Sequence, residues 1–268
     1  MNELLTRSLT GLIFGVVVLG SILWSPWAIF AVLGVFTLVG LHEFHQLVLA
    51  EEKANLLYYF LGLSIYALIG LMGMEIVDIS NFLLIILSFF ILIAAEIFRN
   101  PNPSWRHITT AITAFIYVAF PMGLMNSLFF LGNAGLAFPW ILLALFILVW
   151  VNDVFAYFVG TSLGKHKLFE RLSPKKTWEG SLGGLIFTLV VAWIFSLLTT
   201  NLSLIQWLGL GMIISIAANI GDLAESLLKR NANVKDSGTL LPGHGGVLDR
   251  FDAILFATPF VYFYLYIL

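Results

Sequence analysis

Cysteine is absent from the 268 residues, which removes disulfides, thiolate metal ligands and cysteine nucleophiles and leaves the redox compartment open. Charge is scarce too, with Asp, Glu, Lys and Arg together making 10% of the chain. Thirteen basic residues against fifteen acidic ones give a net charge of -2, without the basic excess of a nucleic-acid footprint. No nucleic-acid partner is expected, and any anionic ligand has to be held locally. Low-complexity linkers and internal repeats are also missing. What abounds is apolar: 60% of residues are hydrophobic, including 24 Phe and 8 Trp, and the mean hydropathy is +0.99. One water-soluble core cannot bury that much, so the chain reads as an all-α, polytopic integral membrane protein.

A span needs about 20 apolar residues, with roughly 17 tolerated. Nine runs qualify: near Ser8 to Trp24, Trp27 to Leu47, Leu56 to Met74, Asn81 to Ile97, Ile108 to Leu131, Phe138 to Phe158, Ser181 to Leu198, Leu204 to Ile220 and Ala253 to Leu268. The first follows a single Arg and resembles a secretory signal. No small-residue cleavage site separates it from the second run, so it is read as a span. Placing all regular structure in helices, this count puts all thirteen Lys and Arg on one side and none in the opposite loops. Cytoplasmic loops collect such charge, so the N-terminus is expected in the cytoplasm and the C-terminus on the other side. The expected location is the inner (plasma) membrane, multi-pass, with the active site facing the cytoplasm. Residues 1–268 form one membrane domain in this reading. Spans within 1–137 are assigned to packing, lipid access and homodimer contacts, and those within 138–268 to a catalytic cavity.

The long loops, Gly160 to Gly180 and Leu223 to Asp252, lie on the basic side. The first contains Gly160 to Lys165, too short between its glycines for a Walker A loop and with His166 where Ser or Thr would hold magnesium. Its remaining content is a basic cluster at phosphate height, Lys165, Lys167, Lys175 and Lys176, with Ser173-Pro174 expected to cap the next helix. Just before it, Asn152 and Asp153 sit inside an apolar run, where an acid costs about 2.5 to 3.5 kcal/mol on insertion scales and faces a protein interior or a wet cavity. His42-Glu43-Phe44-His45 lacks the i, i+4 histidine pair of a zincin helix and is expected to be an interfacial helix end.

The stretch Asn219 to Asp252 holds five acidic and four basic residues. Asn219, Asp222, Glu225 or Ser226, and Lys229 share one helical face, while Asp249 and Asp252 share another. Between them Pro242-Gly243-His244-Gly245-Gly246 can curl backbone N–H groups into an anion-binding nest before a helix N-terminus. Carboxylates without Cys or paired His favour a hard cation, with phosphates completing its shell.

At these residues the chain resembles the phosphatidate cytidylyltransferase (CDP-diacylglycerol synthase) family. Ser226, Lys229-Arg230, Lys235-Asp236, Gly238, Pro242, His244-Gly245-Gly246, Asp249-Arg250 and Asp252 stand where the family pattern requires them. The resemblance extends back through SPKKTWEG and GKHKL to NDVFAYFVG, departing at Thr161, where many relatives carry Arg. It implies that CTP and phosphatidic acid give CDP-diacylglycerol and pyrophosphate at a lipid bilayer, with Mg2+ and a second cation such as K+. Asp222 and Asp249 are then the expected metal ligands. Lys229, Arg230, Lys235 and His244 join them as catalytic groups. Asn152, Asp153, Lys165, Lys175, Lys176, Ser226, Asp236, Gly245, Gly246, Arg250 and Asp252 are expected around the substrates. Alternatives are a CTP enzyme acting on an ether-lipid phosphate, a polyprenol kinase, or a cation-coupled transporter.

Overall fold

The computed structural model describes residues 3–50, 52, 54–131, 139–240 and 245–268, with side chains from Leu9 onward. Among these residues nine helices form: α1 (Glu3–Trp24), α2 (Pro26–Val48), α3 (Leu56–Gly73), α4 (Phe82–Arg99), α5 (Trp105–Leu128), α6 (Trp140–Leu163), α7 (Trp178–Leu198), α8 (Leu204–Asn231) and α9 (Leu248–Tyr266). Seven, α2 to α8, are long and apolar enough to cross a membrane, and the apolar part of α1 is shorter, Leu9–Trp24. The protein is an all-α polytopic membrane protein, and each expected span overlaps one of these helices.

Short polar side chains start the helices. Ser25 accepts from the Ala28 N–H ahead of Pro26, Asn55 from Leu57, Ser104 from Arg106, and Ser203 and Gln206 cap each other's backbone in a capping box, satisfying amides that have no partner within the helix. Helix α8 continues past its expected end at Ile220. Beyond that point its composition turns polar but stays helix-favouring, and Glu225 and Lys229 pair at 2.5 Å one turn apart.

Two differences from the expected pattern lie between α6 and α7. The segment is not purely helix and loop: β1 (Lys167–Phe169) and β2 (Ser173–Thr177) pair antiparallel, with Lys167 opposite Thr177. Ser173-Pro174 therefore opens a strand rather than a helix, a position where Pro is tolerated because a two-stranded ribbon is all edge. The cap of α7 is Thr177, whose hydroxyl accepts from the Gly180 N–H at 3.1 Å.

The chain divides into two compact units, residues 1–130 with 234–250, and residues 131–233 with 251–268. The Gly-rich stretch 234–250 thus packs with the N-terminal helices, and the division runs through α9. In the first unit α3 and α5 approach closely where glycine allows it: a Cβ on Gly123 would stand 2.9 Å from the Tyr66 carbonyl. Residues 115–119 of α5 form a π turn just before Pro121, where the proline ring would otherwise meet the preceding turn. Helix α4 has only 11% of its apolar window buried, so its surface is one for lipid.

In the second unit α6 and α7 pack through Gly180, Gly183 and Gly184. A Cβ on Gly184 would lie 2.8 Å from both the carbonyl and the side-chain oxygen of Asn152. Phe155 and Phe187 stack across the same pair of helices at 3.7 Å. Replacing Gly184→Leu therefore forces the helices apart, at about 1 to 3 kcal/mol for an overpacked contact. Its expected signature is a lower unfolding temperature in detergent, and an unchanged one would contradict the close approach.

Candidate functional site

The polar residues of the second unit gather at the end of α6. Because Gly160, Gly164 and Gly180 carry no side chains, β2 and the first turn of α7 lie directly on α6: a Cβ on Gly180 would stand 2.7 Å from the Ala156 carbonyl, and one on Gly164 would stand 2.8 Å from the Thr177 hydroxyl. Glu179, in the first turn of α7, holds the chain as it enters the hairpin. Its carboxylate accepts the backbone N–H groups of Lys165 and His166 at 3.1 and 3.2 Å and the His166 ring at 2.6 Å. Three lysines are thereby delivered to one wall.

The resulting cavity measures about 510 Å³. Asp153, Tyr157 and Thr161 line it from α6, Lys167, Lys175 and Lys176 from the hairpin, and Asn219 and Asp222 from α8. Lys176 makes an ion pair with Asp222, the two side chains 24% and 22% exposed, which ties the hairpin to α8. Behind them Asn152 is buried and accepts the Ser215 hydroxyl at 2.6 Å, clamping α6 to α8. The approach of α8 to α9 is also set by a glycine, since a Cβ on Gly221 would stand 2.6 Å from the Asp252 carbonyl. Asp252 lies within electrostatic range of Asp222, Glu225 and Asp153.

Several expected site residues are not among those that line this cavity. Lys165 gives its backbone N–H to Glu179, and Lys167 takes the place in the wall. Lys229 is paired with the buried Glu225, Ser226 is half-buried, and Arg230 is exposed. Lys235, Asp236, Asp249 and Arg250 belong to the first unit. His244 and the preceding Pro242-Gly243 lie outside the described residues.

In the first unit the Gly-rich stretch folds around two carboxylates. Asp249 Oδ2 accepts three hydrogen bonds, from Ser237 N and Gly246 N at 2.8 Å and from the Ser237 hydroxyl at 2.9 Å. Glu43, on α2 and 4% exposed, accepts Val247 N at 2.9 Å and Leu248 N at 2.8 Å, and the Ser237 hydroxyl at 3.3 Å. Gly245 has φ +81°, a backbone that favours glycine, while a Cβ at Gly238 or Gly246 would stand 2.5 Å from the Glu43 carboxylate. Among the described residues the amides of Gly246, Val247 and Leu248 turn to the protein's own carboxylates, while the Pro242-Gly243-His244 part of the expected nest lies outside the described residues. The expectation for Glu43 is corrected: it is no interfacial helix end but a buried anchor. Nothing local in LHEFHQLV signals this, because its partners are 204 and 205 residues away.

Among the described residues no three His, Cys, Asp or Glu side chains come together as a metal cage. The acids around Asp222 nevertheless suit a divalent cation. Asp153, Asp222, Glu225 and Asp252 offer hard oxygens, against the two lysines, Lys176 and Lys229, that pair with members of the group. An excess of carboxylate with few ligands per ion fits Mg2+, which keeps waters and borrows substrate phosphate oxygens.

The profile of the cytidylyltransferase family matches residues 5–268. The chain belongs to the cytidylyltransferase family. Membership suggests a divalent metal. Individual relatives match over shorter stretches: phosphatidate cytidylyltransferase of Bacillus subtilis (strain 168) is 51% identical over 120 residues, 44% of this chain and 45% of that one. The Haemophilus influenzae protein of the same name is 48% identical over 134 residues, 48% and 46% of the two chains. That of Staphylococcus haemolyticus is 40% identical over 172 residues, 63% and 64%. The matched stretch thus spans about half the length of the first two relatives and under two thirds of the third.

Removing the Glu43 carboxylate strands the Val247 and Leu248 amides, at about 1 to 3 kcal/mol per unmet group. Glu43→Ala is expected to lower the unfolding temperature and to speed hydrogen exchange at Val247 and Leu248. Exchange at those amides as slow as in the parent chain would show that the carboxylate does not hold them.

Proposed function

We propose that this protein transfers the cytidylyl group of CTP to phosphatidic acid, giving CDP-diacylglycerol and pyrophosphate at the cytoplasmic face of the inner (plasma) membrane. The observation that carries this reading is the cavity in which Lys167, Lys175 and Lys176 face Asp153 and Asp222 at the end of membrane-length helices. Cations for phosphates and acids for a metal are what a nucleotidyl transfer asks for. Family membership and the relatives' names support the same reading.

The lipid monoester is already an anionic nucleophile, so little general-base work is needed. One of its oxygens bonds to the α-phosphorus of CTP as the bond from that phosphorus to the β-phosphate oxygen breaks, and the electron pair leaves on pyrophosphate. The protein's task is to hold two anions in line and to neutralise charge as it moves. Lys167, Lys175 and Lys176 clamp phosphate oxygens. Lys176, freed from Asp222 as a phosphate arrives, carries its charge to the ligand. Asp153 and Asp252 are acids of the substrate environment. Asp222 and Asp249, each within its own unit, are separately proposed as Mg2+ ligands, with K+ as a second cation. Held there, a divalent metal would neutralise charge on the phosphate oxygens.

The test uses the full chain with labelled CTP, Mg2+ and a panel of lipid phosphates and lipid alcohols. Lipid-linked cytidine and pyrophosphate are expected in equal amounts, whereas phosphorylated lipid with CDP would replace this reading by a lipid kinase. Asp222→Asn and, separately, Asp249→Asn are expected to lower kcat at least about 100-fold, as the loss of one charge-stabilising group does. Protein that stays folded and active after either change would remove that residue from the metal assignment.

Sidedness is tested on the cysteine-free chain. In right-side-out vesicles a membrane-impermeant maleimide is expected to label Thr200→Cys at once and Glu170→Cys only after permeabilisation. The reverse order would invert the proposed topology.

A further inference from the structure

Beside the lysine-lined cavity, in the same unit, runs a groove of different chemistry. It measures about 380 Å³, and its walls are Leu182 and Leu185 of α7 and Ile216, Ile220 and Leu223 of α8, a volume typical of sites that hold small apolar molecules. Leu182, Ile216 and Ile220 are 55%, 52% and 45% exposed. They lie on two membrane-length helices, so the groove opens sideways into hydrocarbon rather than into water.

Groove and cavity share a wall. Ser181 and Asn219 line both, the Ser181 hydroxyl donating to Asn219 Oδ1 at 3.3 Å while Asn219 Nδ2 donates to the Ser215 carbonyl at 2.8 Å. The border between a phosphate-binding space and an apolar one is therefore a single hydrogen-bonded pair of side chains. A water-soluble nucleotide has no use for the apolar limb, and a neutral lipid has none for three lysines. A molecule with an anionic head and a hydrocarbon tail uses both.

We propose that the groove between α7 and α8 receives one acyl chain of the lipid phosphate whose head group enters the lysine cavity. The proposal rests on the lipid-phosphate reading given above. It makes Leu185 and Ile216 determinants of chain length, and it orients the lipid so that its phosphate passes Ser181 and Asn219 to reach Lys176 and Asp222. The lipid need not leave the bilayer to present its phosphate.

The test has two arms, both with the full chain in lipid nanodiscs. In the first, phosphatidic acid carrying a photoreactive diazirine in one acyl chain is irradiated with the unaltered protein and the adducts are mapped. Adducts are expected on the α7 and α8 walls, competed by excess phosphatidic acid but not by phosphatidylcholine with the same chains. Even labelling of lipid-facing surfaces, α4 included, or equal competition by phosphatidylcholine would identify ordinary surrounding lipid and overturn the proposal. In the second arm, Leu185→Trp and Ile216→Trp fill the groove. The preference for dihexanoyl over dioleoyl phosphatidic acid, read as a ratio of kcat/KM, is expected to rise at least tenfold with the KM for CTP within twofold. An unchanged ratio in both variants overturns it as well. If the unaltered chain forms no lipid-linked cytidine from any lipid phosphate, the proposed activity falls. The labelling arm still decides the groove.

Discussion

A carboxylate, an ammonium group or a backbone amide withdrawn from water into a membrane protein has to be met by another group of the same chain. That constraint shapes the polar part of this molecule. Glu43 meets the Val247 and Leu248 amides, Asp249 meets Ser237 and Gly246, and Lys176 meets Asp222. Each pair fixes a piece of irregular backbone to a helix that is otherwise apolar. The glycines follow from the same pairs: Gly238 and Gly246 are side-chain-free where the Glu43 carboxylate has to come in.

The hairpin obeys this logic on its own side of the chain. Glu179 collects the amides at the entrance, Thr177 caps the helix at the exit, and the close contact of α6 with α7 leaves no room for slack between them. Lysines on so short a hairpin would swing freely if the strands were not tied down at both ends. Holding them in place before an anion arrives lowers the ordering cost of binding, and the Lys176–Asp222 pair keeps one of them neutralised meanwhile.

An enzyme joining a water-soluble nucleotide to a bilayer lipid needs a polar space and an apolar one with a thin border. The second unit contains such a pair, divided by Ser181 and Asn219. A purely polar cavity would oblige the lipid to leave the bilayer. A purely apolar one would leave the phosphates unmet.

The membrane-length helices and the family were legible in the order of residues, because span length, cap residues and a long gapped motif are all local in sequence. So was the choice, as candidates, of Asp153, Lys175, Lys176 and Asp222, which line one cavity. The hairpin was missed because Ser173-Pro174 suits a helix start as well as a strand start, and the choice falls to pairing with Lys167 to Phe169. Glu43 was misread because an acid near the end of an apolar run looks the same whether it faces head groups or distant amides. The identity of the anion in the Gly-rich nest was equally hidden. A curled backbone announces that it binds negative charge, but only tertiary structure decides whose charge arrives. Composition and spacing thus determined a membrane helix bundle bearing the motif of the cytidylyltransferase family. Which carboxylates remain for the ligand, and which the chain has already used to hold itself in shape, was decided by contacts between residues far apart in sequence.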